Sequence, residues 1–167
     1  MVKRRVPSLT LVFSPVRRAY VNLAGCNFNC RACFAVAKDY VGWDFSTEGL
    51  LDLLTRACEL LCGQIADEVV LTGGEPTINP GYLSALLKGL SGLGVNRIEL
   101  STNGYLLDEE YIRRLKREGV SLVKIDLKAY SDGIHRWYTG ESNVNVLRAI
   151  TLLHDLSLNF LVRTAYI

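Results

Sequence analysis

The sequence predicts an α/β domain built on a parallel sheet, and three observations carry that prediction. Apolar strand-like runs alternate with helix-like runs along all 167 residues, a length typical of one domain (1–167). Turn and capping residues separate the runs, and polar motifs recur where the predicted strands end. Strands that alternate with helices form right-handed βαβ units. The expected architecture is therefore an open doubly wound sheet or part of a (β/α) barrel.

The predicted elements follow from apolar runs and helix caps. Five strands are expected at residues 18–24, 68–72, 97–101, 122–127 and 158–165. Helices are expected at residues 47–62, 80–90, 109–118, 134–138 and 145–156. Ser46 and Asp108 are suited to cap two of them, and Pro80 to open a third. Because the last predicted strand would be buried yet runs almost to Ile167 with no helix to cover it, we expect a fragment or a shortened barrel.

The bulk composition restricts the class of protein. Hydrophobic residues make up 49% of the chain and charged residues 22%, which suits a packed core and excludes a disordered tail. A net charge of +2 argues against nucleic acid as the partner. We find no signal peptide and no apolar run long enough to span a bilayer, so we expect a cytoplasmic protein. In that reducing compartment, five cysteines indicate metal binding or catalysis.

The strongest motif is a loop with three cysteines, Cys26, Cys30 and Cys33, in C-x-x-x-C-x-x-C spacing. Three thiolates can hold three irons of a four-iron four-sulfur cubane, whereas ferredoxin clusters use four cysteines. A zinc site would need a further ligand, and His135 and His154 are distant in sequence. The fourth iron of such a cluster would be open to a ligand. The spacing alone leaves open whether the loop is a metal site.

Glycine-rich or polar motifs lie at the ends of the other four predicted strands. They are Gly73-Gly74-Glu75-Pro76, Ser101-Thr102-Asn103-Gly104, Asp126-Leu127-Lys128 and Arg163. In parallel α/β folds, ligands bind at the carboxyl edge of the strands. The cysteine loop follows the first predicted strand in the same way. We therefore expect one large site at this edge.

Each of these motifs has a functional and a structural interpretation. Gly73 and Gly74 would let a ligand approach the backbone, or would simply form a turn. Asp126 and Lys128 alternate with an apolar residue, so they face the same side of the strand. They would bind the ammonium and carboxylate groups of an amino acid, or neutralise each other as an ion pair. Arg163 in the last strand allows the same two interpretations.

These motifs, in this order, resemble those of the radical SAM superfamily. The stretch from Asp126-Leu127-Lys128-Ala129-Tyr130 through His135, Tyr138-Thr139-Gly140 and Ser142-Asn143 is similar to the activating enzymes of glycyl radical enzymes, of the pyruvate formate-lyase activating type. The resemblance implies a partial (β/α) barrel of the radical SAM type that ends at strand five. The family core usually continues to a sixth strand that completes the pocket for S-adenosylmethionine (SAM).

The resemblance also implies one four-iron four-sulfur cluster on Cys26, Cys30 and Cys33. A flavodoxin or ferredoxin would reduce the cluster, and SAM would be cleaved to a 5′-deoxyadenosyl radical that abstracts hydrogen, here from a glycine of a partner glycyl radical enzyme. Implied SAM contacts are Ala32, Phe34, Gly73, Gly74, Glu75, Ser101, Asn103, Asp126, Lys128 and Arg163. The family usually has an aromatic residue where this chain has Ala32, so we expect Phe34 or Phe28 to replace its packing.

Two other functions remain open from the sequence. One is a radical SAM reaction on a small molecule, tRNA or peptide. The other is a non-catalytic iron–sulfur electron-transfer module, which would call for a fourth cysteine ligand. Cys58 and Cys62 lie four residues apart on a predicted helix, and we interpret them as free core thiols, because nothing completes a metal site around them.

Overall fold

The computed structural model describes residues 2–164 and contains a central sheet with helical connections. The strands are β1 (Lys3–Val6), β2 (Ser8–Val12), β3 (Arg18–Leu23), β4 (Trp43–Ser46), β5 (Glu68–Gly73), β6 (Arg97–Thr102), β7 (Val120–Asp126) and β8 (Phe160–Arg163). The α-helices are α1 (Thr47–Cys62), α2 (Pro80–Gly92), α3 (Glu109–Arg117), α4 (Asp132–Thr139) and α5 (Val144–Asp155).

The central sheet has six strands in the order β2-β3-β5-β6-β7-β8. The five strands from β3 to β8 pair in parallel and in chain order, and they are the five strands that the sequence predicts. A helix lies between each consecutive pair of these parallel strands. The predicted α/β fold with parallel strands joined by helices is therefore confirmed.

Three strands were not predicted from the sequence. Strand β2 pairs antiparallel with β3 and makes the sheet mixed. Strands β1 and β4 form a separate antiparallel pair in which Lys3 lies opposite Ser46 and Val6 opposite Trp43. Because each strand of this pair has only four residues and the two are about 40 positions apart, no local pattern in the sequence indicates it.

The helix starts follow the predicted caps. The Ser46 hydroxyl accepts a hydrogen bond from the Gly49 N–H at 3.2 Å, and the Asp108 carboxylate accepts one from the Tyr111 N–H at 2.8 Å. Asn79 caps α2 in the same way, immediately before Pro80. These bonds satisfy amide groups that have no partner inside the helix. The observed helices therefore begin within two residues of the predicted starts.

The core is formed by alternate residues of the parallel strands and the apolar faces of the helices. In β3 the buried side chains are Ala19, Val21 and Leu23, while the residues between them are only partly buried. Helices α1 and α2 contribute fully buried leucines, including Leu50 and Leu83. This packing fixes the strands in register, and so it fixes the loops that follow their carboxyl ends.

The last predicted strand is shorter than expected. It was predicted at residues 158–165 and is observed at Phe160–Arg163. Its predicted end at Ala165 and the terminal Ile167 lie outside the described residues. Within residues 2–164 there is no helix both long and apolar enough to cross a membrane.

Candidate active site

One cavity of about 540 Å³ lies at the carboxyl ends of the parallel strands. Its size is in the range of pockets that bind small molecules and cofactors. The predicted site residues that line it are Cys26, Cys30, Ala32, Cys33, Phe34, Gly73, Gly74, Ser101, Asn103, Asp126, Lys128 and Arg163. The motifs at the ends of five strands therefore lie around one cavity, as expected for the carboxyl edge of a parallel sheet. Among the predicted site residues only Glu75 is absent from the lining.

The cysteine loop follows β3 and is tied to the rest of the chain through its backbone. The Gly25 N–H donates to the Ala37 carbonyl at 2.8 Å at the start of the loop. Further along, the N–H groups of Asn29 and Arg31 donate to carbonyls of residues 139 and 138 at the end of α4, each at 2.9 Å. The loop is therefore held at its start and in its middle, although it contains little regular structure.

The three cysteine side chains differ in exposure. Cys26 and Cys30 are partly buried, and Cys33 is exposed. Burial raises the pKa of the Cys26 and Cys30 thiols, while Lys128 and Lys38 oppose that rise at Cys30. In residues 2–164, no three cysteine, histidine or acidic side chains converge on a single metal-ion position. A cubane places each thiolate on a different iron, so it does not require that convergence.

The two glycines after β5 allow the backbones of two loops to come into contact. A Cβ at Gly73 would lie 2.5 Å from the Leu23 amide nitrogen, and the residue has a φ of +114°, which favours glycine. A Cβ at Gly74 would overlap the Gly25 carbonyl oxygen and lie 2.6 Å from the Ala37 carbonyl oxygen. The close approach that requires glycine is therefore to the start of the cysteine loop and the strand before it.

Glu75 is fully buried, and its carboxylate has four protein donors. One oxygen accepts from the Thr77 N–H at 2.9 Å, the Thr77 hydroxyl at 2.6 Å and the Thr102 hydroxyl at 2.7 Å. The other accepts from the Asn103 N–H at 2.7 Å. Burial raises the pKa of Glu75, and these donors oppose the rise by stabilising the ionised form. The carboxylate therefore joins the loops after β5 and β6, and its predicted contact with SAM stays a prediction.

Arg4 completes this network, and sequence reasoning missed it. Its side chain is 2% exposed, and its guanidinium donates to the backbone carbonyls of Ala24, Glu75 and Pro76. Burial lowers the pKa of Arg4. In β1, Arg4 and Val6 are buried and face the same side of the strand. The sequence alone did not indicate this, because a short basic run is more often solvated.

The charged residues near the last two strands form a cluster at the cavity. The Asp126 carboxylate contacts Lys128 Nζ at 3.2 Å and Arg163 Nε at 2.8 Å, and Arg163 also donates to the Ser101 hydroxyl. The structural alternative, a mutually satisfied ion pair, is therefore present. Because the side chains of Asp126 and Lys128 are 30% and 25% exposed and line the cavity, a ligand with an ammonium and a carboxylate group can exchange partners with them.

The aromatic residues of the cysteine loop are divided between the core and the surface. Phe28 is 4% exposed and packs edge-on against Tyr105 and His135, with ring centroids 5.5 and 5.6 Å apart. Phe34 is 98% exposed beside Ala32, and all three loop residues line the cavity. Phe28 therefore supplies the buried aromatic packing, and the adenine contact of Ala32 and Phe34 stays a prediction.

The remaining cysteines have the expected structural role. Cys58 is buried, and the Cys62 thiol donates to the Cys58 carbonyl within α1 at 3.0 Å. Both thiols are free. The cavity also has lining residues that the site prediction omitted, among them Asn22, Thr72 and Tyr138. Tyr138 belongs to the Tyr-Thr-Gly motif, which could have indicated it.

The donor set fits an iron–sulfur cluster with one open iron. Three thiols surround one side of the cavity, and cationic side chains lie near them, which suits thiolate ligands. A buried amide nitrogen of Asn27, the residue after Cys26, has no hydrogen-bond partner among the described residues. The fold and the site together define an α/β protein with one cavity at the strand edge whose lining is suited to an iron–sulfur cluster and a cofactor.

Comparison with known proteins identifies the family. The family model of the radical SAM superfamily matches residues 23–167, and the chain belongs to that superfamily. Its members are enzymes, and membership implies an iron–sulfur cluster and SAM. The matched range includes the cysteine loop and every predicted site residue.

Three similar proteins illustrate the range of the family. A protein of Methanocaldococcus jannaschii, provisionally named a glycyl-radical enzyme activating enzyme, is 35% identical over 77% of this chain and 46% of its own length. A protein of Saccharolobus solfataricus, provisionally named a GTP 3′,8-cyclase, is 32% identical over 69% of this chain and 35% of its own. The solved structure of native anSMEcpe with bound AdoMet has a TM-score of 0.64 at 22% identity, covering 83% of this chain and 41% of that one.

The chain thus spans between a third and a half of the length of these relatives. The structural likeness at 22% identity establishes the fold alone. Because the relatives differ in their reactions, the family assignment does not select a substrate.

Proposed function

We propose that this protein is a radical SAM enzyme that activates a partner glycyl radical enzyme. One observation carries the proposal: a single cavity is lined both by the three motif cysteines and by the charged cluster of Asp126, Lys128 and Arg163. The cysteines are suited to hold three irons of a cluster, and the charged cluster is suited to bind the amino-acid part of SAM. When bound, the reduced cluster and SAM supply a 5′-deoxyadenosyl radical, which abstracts hydrogen.

The residues of the chain bind and orient the cofactors. Asp126 offers a carboxylate to the ammonium group of SAM, and Lys128 and Arg163 offer cationic donors to its carboxylate. Hydrogen bonds join the loops after β3, β5 and β6, and the bond from Arg163 to the Ser101 hydroxyl connects this cluster of charges to them. A rigid arrangement of this kind positions reactants before the reaction begins.

The activating-enzyme assignment rests on two supports. The stretch from Asp126 to Asn143 resembles that group, and a relative at 35% identity carries that name. In this proposal a flavodoxin or ferredoxin supplies the electron. A glycine backbone of the partner enzyme would donate the hydrogen atom and retain the radical.

The proposal is tested by electron paramagnetic resonance under anaerobic conditions. The protein is purified, reconstituted with iron and sulfide, reduced, and measured with and without SAM. We expect a four-iron signal that changes when SAM is added. A glycyl radical should then form on a candidate partner glycyl radical enzyme. If the cluster responds to SAM but no such radical forms, the activating role is refuted and the radical SAM assignment stands.

A second candidate is a radical reaction on a small molecule. The similarity to the provisionally named GTP 3′,8-cyclase, at 32% identity, favours it. Incubation of the reduced protein with SAM and GTP distinguishes the two, because this candidate predicts nucleotide turnover without a protein radical. A cluster that ignores SAM would instead indicate an electron-transfer module.

A further inference from the structure

A second cavity, of about 500 Å³, lies beside the cysteine loop, and Cys30 lines both this cavity and the larger one. The other lining residues come from the cysteine loop, the segment after it and the region around the end of α4; they are Asn29, Arg31, Lys38, Arg136, Trp137 and Gly140. None of these six is among the proposed SAM contacts. One proposed cluster ligand therefore belongs to two surfaces, of which the second has no role in binding SAM.

Three residues that line the second cavity are cationic. Arg31 and Arg136 are exposed, and Lys38 is partly buried. The positive charge of Lys38 acts on Cys30, where it opposes the rise that burial causes in the pKa of the thiol. Arg136 is paired with Asp132 at 2.7 Å, whereas Arg31 and Lys38 form no ion pair within residues 2–164. Since no acidic residue of that range lines the cavity, the lining carries excess positive charge.

Trp137 adds a large apolar group to this surface, and Arg31 holds it in place. The indole is 58% exposed. The Arg31 guanidinium lies 4.8 Å from the centroid of the ring, and its Nε donates to the Trp137 carbonyl at 2.7 Å. Because these contacts already restrict both side chains, less conformational entropy is lost when a partner binds them. Tryptophan and arginine are also the residues that most often dominate the free energy of protein–protein binding.

We infer that the surface formed by the lining of the second cavity is the docking site of an acidic electron-carrier protein that reduces the cluster. The inference rests on the proposed function, because it needs a cluster on the three cysteines. In the transfer the carrier loses one electron and the cluster gains it, and no covalent bond forms or breaks. Electron transfer between proteins slows steeply with distance, so a carrier that docks against Cys30 lies close to the group that it reduces.

The charges of the surface favour a protein over a nucleic acid as the partner. The chain has a net charge of only +2, and one of the three cations is already paired. A nucleic acid backbone is normally bound by a larger set of cations that neutralise many phosphates. A patch of carboxylates on a small protein needs only a few cations around an apolar contact, and it is attracted towards them during the encounter. Binding of the carrier should therefore weaken as the salt concentration rises.

The test is a calorimetric titration of the reconstituted, oxidised protein with an acidic flavodoxin, at low and at high salt. We expect R31E and K38E each to weaken binding about tenfold at low salt, because an anion would then face the carboxylates of the partner. R113E is the matched control: it makes the same change in charge at a 55% exposed side chain on α3 that lines neither cavity. The same affinity in R31E, K38E and wild type would overturn the inference.

Reduction kinetics separate docking from damage to the cysteine loop. In R31E and K38E, reduced flavodoxin should reduce the cluster more slowly than in wild type. Photoreduced deazaflavin, a small reductant that needs no docking surface, should reduce the cluster at the same rate in all variants, and the iron content should be unchanged. Slower reduction by both reductants, at an unchanged affinity for flavodoxin, would overturn the inference.

The failure of this inference and the failure of the proposed function give different results. A cluster that ignores SAM would refute the proposed function, and the flavodoxin titrations would still decide where the carrier docks. A titration with single-stranded RNA tests the other class of partner. If RNA binds more tightly than flavodoxin and R31E weakens that binding, the surface belongs to a nucleic acid and the inference is overturned.

Discussion

Single buried charges determine how the loops of this site meet, and Arg4 is the clearest case. In the described residues all of its hydrogen bonds go to backbone carbonyls, those of Ala24, Glu75 and Pro76. A guanidinium is suited to this task because its five donors lie in one plane. A strand outside the central sheet thereby joins the loops after β3 and β5.

Replacing Arg4 by methionine should destabilise the protein by about 3 kcal/mol, because buried carbonyls lose their donor. Urea denaturation measures the change. Arg5→Met is the matched control, since the neighbouring side chain is 39% exposed and its ion pair with Asp44 is at the surface. That variant should change stability by less than about 1 kcal/mol. Equal losses in the two variants would contradict the structural role of Arg4.

Replacing Asp126 by asparagine should weaken SAM binding about tenfold, or ~1.4 kcal/mol, because the carboxylate would no longer pair with an ammonium group. Stability should change little, since the side chain is 30% exposed. A titration of the cluster signal with SAM measures the affinity. Asp52→Asn, which removes an exposed carboxylate paired with Arg56 on α1, provides the control. The same SAM affinity in D126N and wild type would exclude a direct contact.

At the scale of elements, the loop after β5 is packed against the cysteine loop without space for a side chain. A Cβ at Gly74 would collide with the carbonyl oxygens of Gly25 and Ala37. Gly74→Ala should therefore destabilise the protein by about 3 kcal/mol and reduce iron incorporation, since the cysteine loop must move. Iron and sulfide assays, with thermal unfolding, measure both effects.

Gly133→Ala is the control for this substitution. Gly133 lies in α4, where an added Cβ meets no atom within 4 Å. Alanine is favoured in a helix over glycine, so this variant should gain about 0.5–1 kcal/mol and keep its iron. Normal iron content in G74A would show that the two loops can separate without loss of the site.

Sequence predicted the elements whose signals are local. The apolar run of β5 and the caps at Ser46 and Asp108 are each encoded within a few residues, and the structure has them at the predicted places. The pairing of β1 with β4 depends on contacts between distant segments. For that reason neither that pairing nor the burial of Arg4 could be derived from a local pattern.

The same distinction applies to the site. Parallel strands place their carboxyl ends at one edge, so the position of Cys26 and Asp126 at the same edge follows from the parallel direction of their strands. The hydrogen-bond partners of Glu75 and Asn103 depend on side-chain directions that strand order does not specify. Sequence thus located the cavity, and the structure was needed to distinguish residues that face it from residues that hold its loops together.

At the scale of the whole molecule, binding of SAM should stabilise the fold only when the cluster is present. The three motif cysteines and the charges around Asp126 line one cavity, so a ligand that contacts both would link the loops after β3 and β7 with the end of β8. A ligand at a hundred times its dissociation constant stabilises the native state by about 2.7 kcal/mol. For a domain of this size the Tm should rise by about 5–10 °C.

The cluster dependence separates this effect from non-specific binding. Cys30→Ser removes one iron ligand and should abolish the rise in Tm with SAM, as measured by anaerobic differential scanning calorimetry. Cys62→Ser is the matched control, because that thiol is bonded within α1 and lies outside the cavity lining. A SAM-dependent rise that persists in C30S would mean that SAM binds without the open iron. In that case the charged side chains alone would carry the binding free energy.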